Sequence, residues 1–237
     1  MTNKKGIKKQ DIYDPGEGDF WFLPLGGCGQ FGANFSLYGH NGEWLAVDCG
    51  AAFADDRLPG IDVLLPDPTF IGKRRDKLKG LVITHAHEDH IGGAAYLWPL
   101  LQCPIYATKF AKWLLEQKFL EQRELWGEDA PAPPKIREIK SGQSFAVSGF
   151  QVTPLPVAHS IPEAHALVIE TSAGRVVHSG DWNLDRGPVL GPTTEASLFR
   201  EIGDQGVLAY IGDSTNAAEP GYAGSESQVQ QGLEHVF

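Results

Sequence analysis

The sequence is poor in the features that mark several specialised classes. Its three cysteines, Cys28, Cys49 and Cys103, are odd in number and never spaced as CxxC, which argues for reduced thiols and against a disulfide framework. Cys49 reads as a small buried thiol. No apolar run approaches 18 residues, so no helical membrane span is expected. The lysine-bearing amino terminus lacks the apolar core of a secretory signal, and the cytoplasm is the expected location. No internal repeat or low-complexity tract is present. Positive charge is also short: 20 basic against 30 acidic residues leave a net charge of −10, without the basic footprint usual in nucleic-acid binders. The dense basic run at 73–79 enters a strand and lies at the end away from the richest polar motif, roughly 20 Å off at strand spacing. It reads as a solvated face.

At 237 residues with 42% hydrophobic side chains, the chain has enough apolar surface for one domain, or one plus a fragment. Residues 1–18, with four lysines among polar residues and glycines, read as a mobile tail. Strands are expected at 20–23, 34–40 and 43–49, the last two joined by His40-Asn41-Gly42, where Asn-Gly favours a tight hairpin. The glycine run Gly27-Cys28-Gly29-Gln30-Phe31-Gly32 matches GxGxxG formally, but a strand rather than a helix follows it, so a tight turn beside a cleft is the reading. Beyond residue 80 the pattern becomes strand, helix, strand, helix. It includes a helix at 94–98 ended by Pro99 and a long amphipathic helix at 109–125. Strands at 135–140, 144–147, 151–157, 166–171 and 175–179 follow, then a helix at 194–202 and a strand at 207–211. Ser225 and Gln228 form a capping-box pair, and Val229, Leu233 and Val236 recur at helical spacing, predicting a terminal helix with an apolar stripe.

The most informative segment is Thr84-His85-Ala86-His87-Glu88-Asp89-His90-Ile91-Gly92-Gly93, at the carboxyl end of the apolar strand 80–84. A lone histidine in a loop is usually structural. Here six positions hold three imidazoles and an aspartate, the donors that zinc accepts at about 2.0 to 2.2 Å. A metal so held lowers the pKa of bound water to about 7. Adjacent side chains of this turn can serve two ions.

This motif resembles that of the metallo-β-lactamase superfamily, and Val47-Asp48-Cys49-Gly50, His159-Ser160-Ile161-Pro162-Glu163 and Ser179-Gly180-Asp181 extend the likeness. With Leu65-Pro66-Asp67-Pro68 and Gly212-Asp213-Ser214-Thr215-Asn216-Ala217, the pattern is similar to the bacterial ribonuclease J family of the β-CASP branch, from about Asp19 onward. Strands in two groups with intervening helices suggest an αββα sandwich in an α/β (α+β) fold, and the resemblance implies the same. Residues 19–212 would form the metallo-β-lactamase domain and 213–237 would open a β-CASP segment. Members of that family are much longer, so it also implies an amino-terminal half, incomplete at its carboxyl end, that pairs with the missing half or self-associates.

The resemblance assigns His85, His87 and His159 to one zinc, Asp89 and His90 to a second, and Asp181 to both. Asp48 would stand behind the ligands and accept an imidazole N–H. Asp89 would also position the nucleophile, and Asp213 would hold the cleft or handle a proton. Two zinc ions, with manganese able to substitute, would hydrolyse RNA through a two-metal hydroxide mechanism, both from the 5′ end and internally. The ions' local field would offset part of the acidic charge. His165 and His178 are expected to be structural, and His40 and His235 exposed. Two other readings share these ligands. Thioester or lactone hydrolases carry the histidine motif without the 213–216 segment, and a metal-binding fragment would keep the fold without turnover.

Overall fold

The computed structural model describes residues 14–127 and 130–237, and the first half of the chain builds one mixed sheet. Strands β1 (Trp21–Gly26), β2 (Phe35–His40) and β3 (Glu43–Val47) are antiparallel. Asn41 and Gly42 close the β2–β3 hairpin at φ 48° and 74°. Two left-handed central residues match the right-handed twist of the flanking strands. A small ribbon of β4 (Ala52–Phe53) and β5 (Val63–Leu64) and a short helix α1 (Thr69–Gly72) lead to β6 (Leu78–Val82), which lies parallel to β3. Helices α2 (Glu88–Ile91) and α3 (Ala94–Leu101), strand β7 (Ile105–Ala107), helix α4 (Lys109–Trp126) and strand β8 (Ile136–Glu138) complete the sheet, ordered β1-β2-β3-β6-β7-β8. The second sheet comprises β9 (Phe145–Val147), β10 (Phe150–Pro156), β11 (His165–Thr171), β12 (Gly174–His178) and β13 (Ala209–Ile211), in the order β13-β12-β11-β10-β9. Helix α5 (Ala196–Asp204) precedes β13, and α6 (Glu226–Val236) follows it.

Strand alternation sorts these elements into four layers. In β3, Trp44 and Ala46 face the cluster shared with α3 and α4, while Leu45 and Val47 face the space between the sheets. In β11, Leu167 and Ile169 face that same space, and Ala166 and Val168 face outward to Phe199 and Ile202 of α5. Each sheet therefore has two apolar faces, and the order helix, sheet, sheet, helix is the αββα sandwich expected.

Four expectations need correction. Residues 1–13 of the expected tail lie outside the described residues, and 16–18 are exposed, but Asp14 and Pro15 are packed. Pro15 is buried and its carbonyl accepts the Gly42 N–H, while Asp14 binds Arg74 at 3.0 Å and Lys77 at 2.6 Å. Those two residues of the basic run are consequently not free solvated charges, and the Arg74 guanidinium also lies over the Phe70 ring at 4.1 Å. Pro99 does not end its helix but sits inside α3. An interior proline costs about 3 kcal/mol, whereas burying Leu97, Trp98 and Leu101 recovers about 1.5–3 kcal/mol for each large side chain, so packing wins. His40 is buried, donating from Nδ1 to the Asp19 carbonyl (2.7 Å) and accepting the Ser172 hydroxyl at Nε2 (2.9 Å).

Cysteine placement gives a direct check on this packing. Cys28 is exposed, while Cys49 and Cys103 are buried. Burial raises the Cys49 thiol pKa strongly and pushes that of Cys103 up to about 12. At pH 8 a pKa near 12 leaves roughly one thiolate in 10⁴. Native protein should therefore release one equivalent promptly with a chromogenic disulfide and three only after denaturation. Prompt reaction of all three would show that the core is open.

Candidate metal centre

Backbone hydrogen bonds hold the histidine motif against three neighbouring segments. After β6 the chain turns through Thr84, His85 and His87 into α2, which carries Asp89 and His90. The Asp89 carbonyl accepts the Asn34 N–H (2.9 Å), the His90 carbonyl accepts the Cys49 N–H (2.8 Å), and the Glu88 carbonyl accepts the Ala51 N–H (3.1 Å). From the second sheet, the His165 N–H reaches the Thr84 carbonyl at 3.1 Å. The approach is close enough at Gly50 that a Cβ there would stand 1.6 Å from the Asp89 carbonyl oxygen. Gly180, at φ 55°, makes the left-handed turn that delivers Asp181. Asp48 is itself left-handed at φ 58°, a conformation that aspartate tolerates better than most residues.

Six side chains converge at this sheet edge in two groups. His85, His87, His159 and Asp181 form one, and Asp89, His90 and Asp181 the other. His87 Nδ1 lies 3.1 Å from His85 Nε2 and 3.0 Å from His159 Nε2. Ligand atoms 2.0 to 2.1 Å from a tetrahedral ion lie about 3.3 Å apart, so three imidazoles fit three corners of such a site. The Asp181 carboxylate faces both groups, Oδ1 lying 3.3 Å from His90 Nε2 and Oδ2 3.8 Å from His159 Nε2. In the second group His90 Nε2 is 3.5 Å from Asp89 Oδ2. The donor set and spacing fit a pair of divalent ions.

The rings are oriented from behind. Asp48 Oδ2 accepts from His90 Nδ1 at 2.8 Å and from the Thr84 hydroxyl at 2.8 Å, and Oδ1 accepts the Thr84 N–H at 2.8 Å. The same hydroxyl oxygen accepts from His85 Nδ1 at 3.0 Å. With their Nδ1 protons engaged, His85 and His90 present Nε2 to the cleft. Burial, then the neighbouring imidazoles, hold His85 well below the usual histidine range, so that ring is neutral and ready to ligate. Burial lowers His87 and His159 as well. At His90 burial opposes charge, but Asp48 and Asp181 override it and raise the pKa to about 10. A cation bound at Nε2 must displace that proton.

Beside the two groups lies a cavity of about 310 Å³ lined by Asp89 and Asp181, by Phe31 and its glycine loop, and by Asp213-Ser214-Thr215. The loop is a turn, with Gly27, Gly29 and Gly32 all at φ between 73° and 83°. Asp213 Oδ1 accepts from both the N–H (2.8 Å) and the hydroxyl (2.6 Å) of Thr215, which fixes its carboxylate at the wall. His178 hydrogen-bonds to the Tyr38 hydroxyl at 2.8 Å, His165 is buried outside both metal groups, and His235 is exposed.

Residues 28–224 match the metallo-beta-lactamase superfamily. The chain belongs to that superfamily. Among its curated relatives within it, ribonuclease J of Sinorhizobium meliloti (strain Sm2011 / Rm2011 / 2011) is 46% identical over 220 residues, covering 91% of this chain and 38% of the relative. Ribonuclease J of Mycobacterium tuberculosis (strain CDC 1551 / Oshkosh) is 36% identical over 231 residues, covering 96% of this chain and 40% of the relative. The chain thus spans about two-fifths of these relatives' length. The crystal structure of a protein of unknown function from Enterococcus faecalis V583 superposes with a TM-score of 0.61 at 15% identity, covering 92% of this chain and 57% of that one, and this likeness concerns the fold alone. No helix among the described residues is long and apolar enough to cross a membrane.

Two residues that touch the candidate ligands are not legible in the sequence. Thr84 lies within the quoted motif, yet its bridge between His85 and Asp48 depends on β3 and β6 being neighbours. Asn34 donates from Nδ2 to Asp89 Oδ2 (3.2 Å) and to the Asp89 carbonyl (3.1 Å), and it also approaches His90 Nε2 (3.1 Å). Its one sequence signal is a place just after the glycine turn.

Proposed function

We propose that this chain is the metal-binding part of a ribonuclease J-like enzyme, a cytoplasmic zinc-dependent hydrolase that cuts RNA phosphodiester bonds from the 5′ end and internally, with manganese able to replace zinc. The observation that carries the reading is Asp181, a single carboxylate whose two oxygens face two separate ligand groups. Two ions held there would supply Lewis acidity toward phosphoryl oxygens and a hydroxide nucleophile at neutral pH. In this reading His85, His87 and His159 hold one ion, Asp89 and His90 the other, and Asp181 both. Asp48 orients His90 directly and His85 through Thr84. Asp89, which lines the cavity, also positions the nucleophile, and Asp213 holds the cleft or handles a proton. The partners are RNA and the remaining length of a longer polypeptide, or a second copy of the chain. The 213–215 segment in the wall of the same cavity supports a phosphodiester substrate over a thioester or lactone.

The test is cleavage of a labelled 5′-monophosphate RNA, by the chain alone and with the carboxyl-terminal part of a relative added in trans. Cleavage should disappear with a chelator and return with zinc or manganese. Bound metal without cleavage in either format would favour the metal-binding fragment.

A further inference from the structure

Among the described residues no lysine or arginine lines this cavity, whereas Asp89, Asp181 and Asp213 do. Ions held by Asp89 and Asp181 would offset part of that charge. The rim needs an attraction that does not depend on charge. Phe31 is the candidate, because its ring lines the cavity while the residue remains 78% exposed. It joins none of the three apolar clusters, so it contributes nothing to packing among the described residues. The glycine turn holds it out, with Gly29 and Gly32 at φ 73° and 82° on either side. An exposed aromatic residue lining a cavity of about 310 Å³ offers a surface on which a nucleobase can stack, a contact available to every base because each has a π-face.

We propose that Phe31 is the stacking platform for one base of the bound strand, next to the phosphate that lies over Asp89 and Asp181. This rests on the reading of RNA as substrate and adds how the strand is held in register. Stacking is tolerant of sequence, so Phe31 sets affinity and position rather than base preference. It is also largely insensitive to salt, unlike contacts to phosphate.

Equilibrium binding of nuclease-resistant 2′-O-methyl RNA to the zinc-loaded protein tests the idea. The RNA is used intact and with one abasic nucleotide walked along its 5′ end. Phe31→Ala should weaken binding roughly ten-fold or more at both low and high salt, with an unchanged Tm because the ring is outside the core. Phe31→Trp should bind like the wild type, and Phe31→Leu, apolar but without a ring face, should group with alanine. One abasic position should cost the wild type about as much as the alanine substitution and cost Phe31→Ala nothing further. Unchanged affinity in Phe31→Ala, leucine equal to wild type, or the same abasic penalty in both proteins would overturn the stacking role alone. A wild type that neither binds nor cleaves RNA would overturn the functional reading, and this inference with it.

Discussion

Alanine at Gly50 is expected to lower Tm by roughly 6 to 12 °C and to strip the metal centre. The added Cβ would sit 1.6 Å from the Asp89 carbonyl oxygen and 2.1 Å from its carbon, and those are backbone atoms that no rotamer change can move aside. Relief requires separating the segment after β3 from α2, which breaks the hydrogen bonds from Cys49 to His90 and from Ala51 to Glu88. Overpacking of this kind costs about 3 kcal/mol or more, and a domain of this size loses about 2–4 °C of Tm per kcal/mol. Gly203, in α5 with open space around its Cβ position, is the control, and Gly203→Ala should be neutral or slightly stabilising. Thermal unfolding together with metal analysis decides the matter. A Gly50→Ala protein within 2 °C of wild type and with full metal content would sink this account of the motif loop.

The second large effect is expected at Asp181. Asparagine there keeps the shape but removes the charge and one of the two oxygens that face the ligand groups, so both sites should weaken, by more than roughly 100-fold in affinity. Asp48→Asn leaves every ligand atom in place and only disturbs the orientation of His90 and, through Thr84, of His85, a loss of the order of 10 to 100-fold. Asparagine tolerates the left-handed backbone at position 48, so the comparison is not confounded by strain. Metal retained after dialysis, measured alongside competition with a chromophoric chelator, separates the two variants. Equal losses, or a larger loss for Asp48→Asn, would reverse the roles assigned to these carboxylates.

Much of this site is legible because its chemistry is local in sequence. His85, His87, Asp89 and His90 occupy one strand end and the turn after it, so their proximity follows from chain connectivity. His159 and Asp181 are legible only through motif likeness, since bringing them in requires the second sheet to lie against the first. Thr84 and Asn34 were missed for a related reason. Thr84 acts through Asp48, 36 residues earlier, and Asn34 through Asp89, 55 residues later. A polar residue in a loop has no periodicity to betray such a partner.

The fold divides along the same line. Period-two alternation in β3 and β11, the Asn41-Gly42 turn and the Ser225–Gln228 capping box depend on neighbours a few residues away, and the sequence by itself determined them. It also determined the layer order, because two sets of two-faced strands leave helices only the outer faces. Tertiary structure alone decided the fate of Asp14, whose partners lie 60 and 63 residues on, and of His40, buried against Ser172 at a separation of 132 residues. It decided as well that α3 continues through Pro99, since the burial that offsets the lost hydrogen bond comes from other elements. Local sequence encodes backbone preference and the face a side chain takes. Which distant group meets that face, and whether a charge there is paired, solvated or ready for a metal, is fixed only when the sheets close on one another.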